Sequence, residues 1–208
     1  KPWLNLRAFK KRCSRSSGSA STVSPSGATS TLYIETTEAI ASAAGLTEGA
    51  VLEAGCGNGW NCTALSERIP GVRFTGFDYV SAMVENAREL AAGNDRVRFE
   101  IGDLLDLAAN TALDGPWDGI FTDRCLINLL DPARQARAIE ELARRVKPGG
   151  TLILLENFAA SHARLNELRV LGGLPERPPA EHNRFFGDDL LEPGRFDGLE
   201  LVEVDDFG

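Results

Sequence analysis

Three glycines separated by single residues, Gly55, Gly57 and Gly59, follow an apolar run in the stretch VLEAGCGNG at residues 51–59. The apolar start reads as a short buried strand, and the glycines let the backbone turn sharply and leave room for a ligand to lie against it. A helix is expected just beyond. Strand, glycine turn and helix N-terminus together make the nucleotide-binding corner of a doubly wound α/β fold, where ligands sit at the carboxyl ends of the strands. The turn does not follow the dinucleotide pattern G-x-G-x-x-G, because Trp60 stands where the third glycine belongs. Glu53, two residues before the first glycine, repels phosphate and suits a positively charged ligand group, such as the α-ammonium of a methionine moiety. Further carboxylates fall at the tips of expected strands. Asp78, nineteen positions past Gly59, can accept both hydroxyls of a ribose. Asp103 can accept from the 6-amino group of an adenine or cap a helix over residues 104–109.

The order E/D-x-G-x-G-x-G, met by Glu53, Gly55, Gly57 and Gly59, resembles the first motif of class I S-adenosylmethionine (SAM)-dependent methyltransferases. Asp78, the GDL run at 102–104, and the KPGG break at 147–150 leading into a strand that ends at Glu156 match later motifs in order. The resemblance covers residues 33–157. It implies a Rossmann-like, mostly parallel sheet, SAM as cofactor, S-adenosylhomocysteine as product, and no metal. The cofactor site it implies takes Glu53, Gly55, Cys56, Gly57, Asn58 and Gly59 from the turn. Asp78 would hold the ribose, Tyr79 would lie beside the adenine, and Met83 would pack on the ring. Met83 fits equally a core stripe with Val84, Ala87, Leu90 and Ala91. Gly102, Asp103 and Leu104 would meet the adenine, and Asp123 would sit at the tip of the fourth strand.

The acceptor side is expected from an insertion over residues 157–187, where His182, Asn183, Arg184, Phe185 and Phe186 supply a base, polar groups and apolar walls. His182 is the candidate general base for a hydroxyl acceptor, with a backbone-bonded loop histidine as the alternative. Glu156 and Asp123 could orient the acceptor or the methionine amine. The DRCLINLL run at 123–130, with LNELR at 165–169 and His182-Asn183, resembles small-molecule methyltransferases, some tied to sugar or surface-polysaccharide pathways. The expected reaction is methyl transfer to a hydroxyl or amine of a small metabolite, including sugars and natural-product intermediates. Two other readings stand beside it: a SAM-fold enzyme with a non-methylating reaction, and a protein or RNA methyltransferase that docks through a basic arm.

These residues need a parallel sheet to position them. Strands are expected at 51–55, 73–77, 97–101, 117–122, 151–156 and 199–204. Helices are expected over 31–45, over 61–69, around Met83, and after Asp131-Pro132, where Asp caps and Pro takes the first position. Residues 1–12, with Trp3, Leu4, Leu6 and Phe9 among basic side chains, suggest a short amphipathic helix or a terminal arm. Residues 13–30 are Ser-rich and read as a linker, so the domain itself is placed at 31–208. The family sheet closes with a seventh, antiparallel strand between the fifth and sixth, and the expectation is that this strand lies beyond residue 208, the alternative being that the sixth strand pairs directly with the fifth. A net charge of −8 weakens the case for a nucleic-acid partner, as does the lack of an N/D-P-P-Y/F fourth motif. Four cysteines without C-x-x-C spacing and two histidines give little support for zinc. With no long apolar run or signal core, a soluble cytoplasmic protein is expected, with oligomeric state, a homodimer included, left open.

Overall fold

The computed structural model describes residues 4–11, 40, 45–192 and 194–207. The strands are β1 Leu4–Lys11, β2 Gly49–Ala54, β3 Val72–Asp78, β4 Val97–Ile101, β5 Trp117–Asp123, β6 Val146–Glu156 and β7 Leu199–Phe207. The helices are α1 Trp60–Arg68, α2 Ser81–Leu90, α3 Pro132–Arg145 and α4 Ala159–Leu171. One sheet holds all seven strands in the order β4-β3-β2-β5-β6-β1-β7. From β4 to β6 every pairing is parallel, which is the doubly wound α/β fold expected from the sequence.

The central strands are apolar throughout because both faces of a parallel sheet are covered. Leu52, Ala54, Ile120, Leu152 and Leu154 point into one core, and Val51, Phe121, Ile153 and Leu155 into the other. Helix α3 buries Ala138, Ile139, Leu142 and Ala143 on the first of these cores. Its start follows the expected chemistry, since Asp131 Oδ1 accepts from the Ala133 N–H at 2.9 Å and Pro132 needs no donor. The KPGG segment does not interrupt the chain as expected. It is absorbed into β6, with a register shift against β5 between Trp117 and Gly119.

The largest departure is at the N-terminus. Residues 4–11 form β1, an extended strand in place of the expected amphipathic helix, antiparallel to both β6 and β7. Leu4, Asn5, Leu6, Arg7 and Ala8 alternate apolar and polar, which is strand spacing, and two open strand edges offer hydrogen bonds that a helix could not use. A bulge between Ala8 and Phe9 shifts the register against β7. The antiparallel place between β6 and β7, expected to be filled from beyond residue 208, is therefore taken by β1. Lys10 pairs in register with Glu200, so part of the basic arm is committed to the sheet. The expected linker over 13–30 lies outside the described residues. So does the expected helix over 31–45, apart from Ile40, which is helical and buried beside Val51, and Gly45, which has left-handed φ. The helix expected after Asp103 is reduced to one short turn, Leu107–Ala109.

Phe9 is 4 % exposed and meets Phe196 edge-on, with ring centroids 6.3 Å apart. Phe9→Ala should lower the unfolding free energy by about 3–5 kcal/mol. Tyr79→Ala, at a side chain 78 % exposed, should change it by less than about 0.5 kcal/mol. Urea unfolding of both variants checks this, and equal small effects would remove β1 from the sheet.

Candidate active site

The glycine turn is tied to the end of β3. The Gly55 and Cys56 N–H groups both donate to the Phe77 carbonyl at 2.9 Å. A side chain at Gly55 would collide with Cys125 Sγ, so the turn needs glycine to let the segment after β5 approach. At Gly57, with φ 52°, a Cβ would meet nothing within 4 Å. That open side belongs to a cleft of about 460 Å³. Gly55, Gly57, Asp78, Tyr79, Gly102, Asp103 and Leu104 line one part of it, and Arg124, Cys125, Asn128 and Leu129 line the other.

Asp78 stands at the tip of β3, as expected. Its Oδ2 accepts from the Gly57 N–H and its Oδ1 from the Val80 N–H, both at 2.9 Å. Each oxygen keeps a further lone pair for a ligand hydroxyl. Asp103 Oδ1 accepts from the Leu105 N–H at 2.8 Å, leaving its other oxygen for a ligand. Two carboxylates against the single guanidinium of Arg124 suit an adenosyl group carrying a sulfonium and oppose a pyrophosphate. The cleft residues thus fit the cofactor that the sequence pattern implies.

Other expected contacts lie elsewhere. Glu53 is 1 % exposed and does not line the cleft. Its Oε1 accepts from Asn61 Nδ2 at 2.9 Å, and its Oε2 lies 3.0 Å from Cys62 Sγ. Burial pushes its pKa to about 8, so near neutral pH it presents little negative charge to an ammonium group. Glu53 shares a sheet face with Val51 and points under α1, toward Asn61 and Cys62. Cys56 is buried, and burial raises its thiol pKa well above the ordinary value. Asn58 is exposed, with Oδ1 accepting from the Trp60 N–H at 3.4 Å. Gly59 caps α1 at φ 78°, and Met83 is exposed on α2.

Beyond Arg124 lies a second cavity, of about 520 Å³, lined by Asp123, Arg124, Ile127, Asn157, His162, Leu165, Arg177, Asn183 and Phe185 among others. Arg124 lines both spaces. The expected insertion over 157–187 does build much of this cavity, but with a different histidine. His182 is exposed and is not among the lining residues, whereas His162 on α4 is. His162 Nε2 lies 2.7 Å from the Arg177 carbonyl. A carbonyl only accepts, so Nε2 carries the proton, and the Nδ1 lone pair is the basic site of the neutral ring. The longer approach of Asn166 Nδ2, at 3.4 Å, is then no hydrogen bond; that amide donates to the same carbonyl at 3.2 Å. Phe185 packs edge-on against His162 at 4.8 Å between centroids, while Phe186 is buried against Phe158. Arg184 faces an adjoining groove beside Glu167 and Glu176.

Glu156 is not among the residues that line either cavity. It is fully buried, and its two oxygens accept from Thr122 Oγ1 at 2.7 Å and from the N–H groups of Cys125, Leu126 and Ile127 at 3.1–3.2 Å. It points from the end of β6 into the segment after β5 and fixes that segment's course. The sequence pointed to the stretch holding Arg124, at the tip of the fourth strand, but not to His162 or Arg177. The available signal for His162 was its i,i+4 spacing with Asn166.

Residues 51–150 match the family model described as a methyltransferase domain. The chain is 31 % identical over 123 residues to a demethylmenaquinone methyltransferase of Clavibacter sepedonicus, covering 59 % of this chain and 46 % of that protein. Among solved structures it is similar to the putative methyltransferase of Haloferax volcanii bound to the Trm112 activator, with TM-score 0.54, 26 % identity, and 67 % of this chain and 59 % of that one covered. The [4+2]-cyclase SpnF is similar at TM-score 0.51 and 27 % identity, over 59 % of this chain and 44 % of that one. The chain spans about half the length or less of the curated relatives it matches first. Among the described residues no helix is long and apolar enough to cross a membrane, and no group of three or more His, Cys, Asp or Glu could hold a metal ion.

The anchor of this site has a measurable pH signature. Burial raises the Glu156 pKa from its ordinary 4.5 to about 7. The folded state therefore holds a proton that the unfolded state has released, and stability falls as pH rises through that interval. Wild type should lose stability relative to Glu156→Gln between about pH 4.5 and 7, measured by urea unfolding across pH 4–8. A flat difference would mean that Glu156 is solvated.

Proposed function

We propose that this chain, whose residues 51–150 match a methyltransferase-domain model, is a class I SAM-dependent methyltransferase that moves a methyl group from SAM to a hydroxyl or amine of a small metabolite, with sugars and natural-product intermediates as candidates. One observation carries the reading: an acidic cleft over the glycine turn and a second cavity, large enough for a small acceptor, share Arg124 as a lining residue. SAM, when bound, supplies an electrophilic methyl on a sulfonium. In this reading Asp78 holds the ribose hydroxyls and Asp103 the adenine amino group. Leu104 and Leu129 supply apolar contact. In-line displacement gains most from holding the two reactants in line in a dry site. Ile127, Leu165 and Phe185 give the acceptor cavity apolar walls. His162, its tautomer set by the Arg177 carbonyl, takes the proton of a hydroxyl acceptor at Nδ1; the exposed His182 remains the alternative base.

The similarity to the [4+2]-cyclase SpnF favours a second reading, in which SAM is held without losing its methyl group. Calorimetric titration with SAM, S-adenosylhomocysteine and NAD tests the cofactor, and S-adenosylhomocysteine release in the presence of an acceptor panel separates the two reactions. Micromolar binding of the first two, weakened at least tenfold in Asp78→Ala, is expected. Binding of NAD alone would overturn both readings.

A further inference from the structure

The acceptor cavity has a charge that methyl transfer alone does not call for. Arg124 and Arg177 face a single carboxylate, Asp123, among its lining residues, in a chain whose net charge is −8. That carboxylate is already engaged. Asp123 Oδ1 accepts from Arg124 Nε at 3.1 Å and Oδ2 from Asn61 Nδ2 at 3.2 Å, and its side chain is only 8 % exposed.

Both guanidinium groups keep donors for a ligand. Arg124 uses Nε on Asp123, and its terminal nitrogens have no hydrogen-bond partner among the described residues. The Arg177 guanidinium makes no hydrogen bond or ion pair among the described residues. Its backbone, in contrast, is held firmly to α4: its N–H donates to Asn166 Oδ1 at 2.9 Å, and its carbonyl accepts from His162 Nε2 at 2.7 Å and Asn166 Nδ2 at 3.2 Å. The Arg124 backbone is also fixed. It sits at φ 52°, a conformation that L side chains rarely adopt, with its N–H donating to the Leu155 carbonyl at 2.8 Å. Two arginines are thus fixed through their main chains while their forks stay available, and a fork matches a planar or tetrahedral oxyanion with paired hydrogen bonds.

We propose that the acceptor is a small molecule bearing an anionic group, carboxylate or phosphate, held by Arg124 and Arg177 with its nucleophile turned toward the cofactor cleft. Calling this ligand the acceptor rests on the methyl-transfer reading; the presence of an anion site does not. Asp123 holds Arg124 through its Nε at 3.1 Å, and Asn157, His162 and Asn183 line the cavity beside the apolar Ile127, Leu165 and Phe185.

The test uses the full chain saturated with S-adenosylhomocysteine, titrated with citrate, glycerol 3-phosphate and neutral glycerol as probes. Citrate or glycerol 3-phosphate should bind at least tenfold more tightly than glycerol, and which of the two binds distinguishes a carboxylate from a phosphate ligand. Arg177→Gln should weaken anion binding at least tenfold without changing S-adenosylhomocysteine affinity or the thermal midpoint, because its guanidinium supports no described contact. Arg177→Lys should fall between the two, keeping charge but not the fork. Binding of neither anion above the level of glycerol, or equal binding by Arg177→Gln, overturns the proposal. Failure of S-adenosylhomocysteine to bind would count against the methyl-transfer reading instead, and the same anion titrations on the unloaded chain would still decide the anion site.

Discussion

The site depends on one buried carboxyl group. Glu156, at the end of β6, gathers Thr122 Oγ1 and three successive backbone N–H groups after β5. Those donors would otherwise be orphaned at a sharp turn, at a cost of about 1–3 kcal/mol each. Burial favours the protonated acid and the donors favour the carboxylate, and a pKa near 7 is the balance. Because Cys125, Leu126 and Ile127 are held in place, Cys125 reaches the glycine turn at Gly55 and Ile127 reaches the Arg184 N–H at 2.7 Å. One group thus joins the wall of the cleft over the glycine turn to the wall of the second cavity.

The sheet solves a separate problem at its other end. Without β1, strands β6 and β7 would face each other with unpaired main-chain groups, and their antiparallel partner has to come from somewhere in the chain. Leu4–Lys11 supplies it through pairing on both sides. In that register the main chain of Lys10 lies opposite Glu200. A segment paired on both edges has its main-chain groups committed to the sheet.

What the sequence made legible was local. An apolar run, a glycine turn and an acid at a strand tip are set by neighbouring residues, so β2, the turn and Asp78 were placed correctly, as were Asp103 and the start of α3 at Asp131. What it hid was set by pairing across the chain. Residues 4–11 show helix-like and strand-like spacing at once, and only the open edges of β6 and β7 decide between them. Glu53 and Glu156 both end buried strands, and nothing in their immediate sequence says that each turns inward to meet donors from a distant segment. His162 and His182 carry equal weight as letters; the bond from His162 to the Arg177 carbonyl separates them.

Arg124 joins these constraints. Glycine would adopt its φ of 52° without strain, whereas a side chain in the left-handed region costs on the order of 1–3 kcal/mol. The strain persists because the conformation is determined from both sides: the Arg124 N–H is bonded to Leu155 and the next three N–H groups to Glu156. Glycine would satisfy the backbone equally well but would leave the junction of the two cavities without its guanidinium, and Asp123 without the partner bonded at 3.1 Å. The strained arginine is therefore explained by its side chain rather than by its turn, since the residue lines both the cleft and the second cavity.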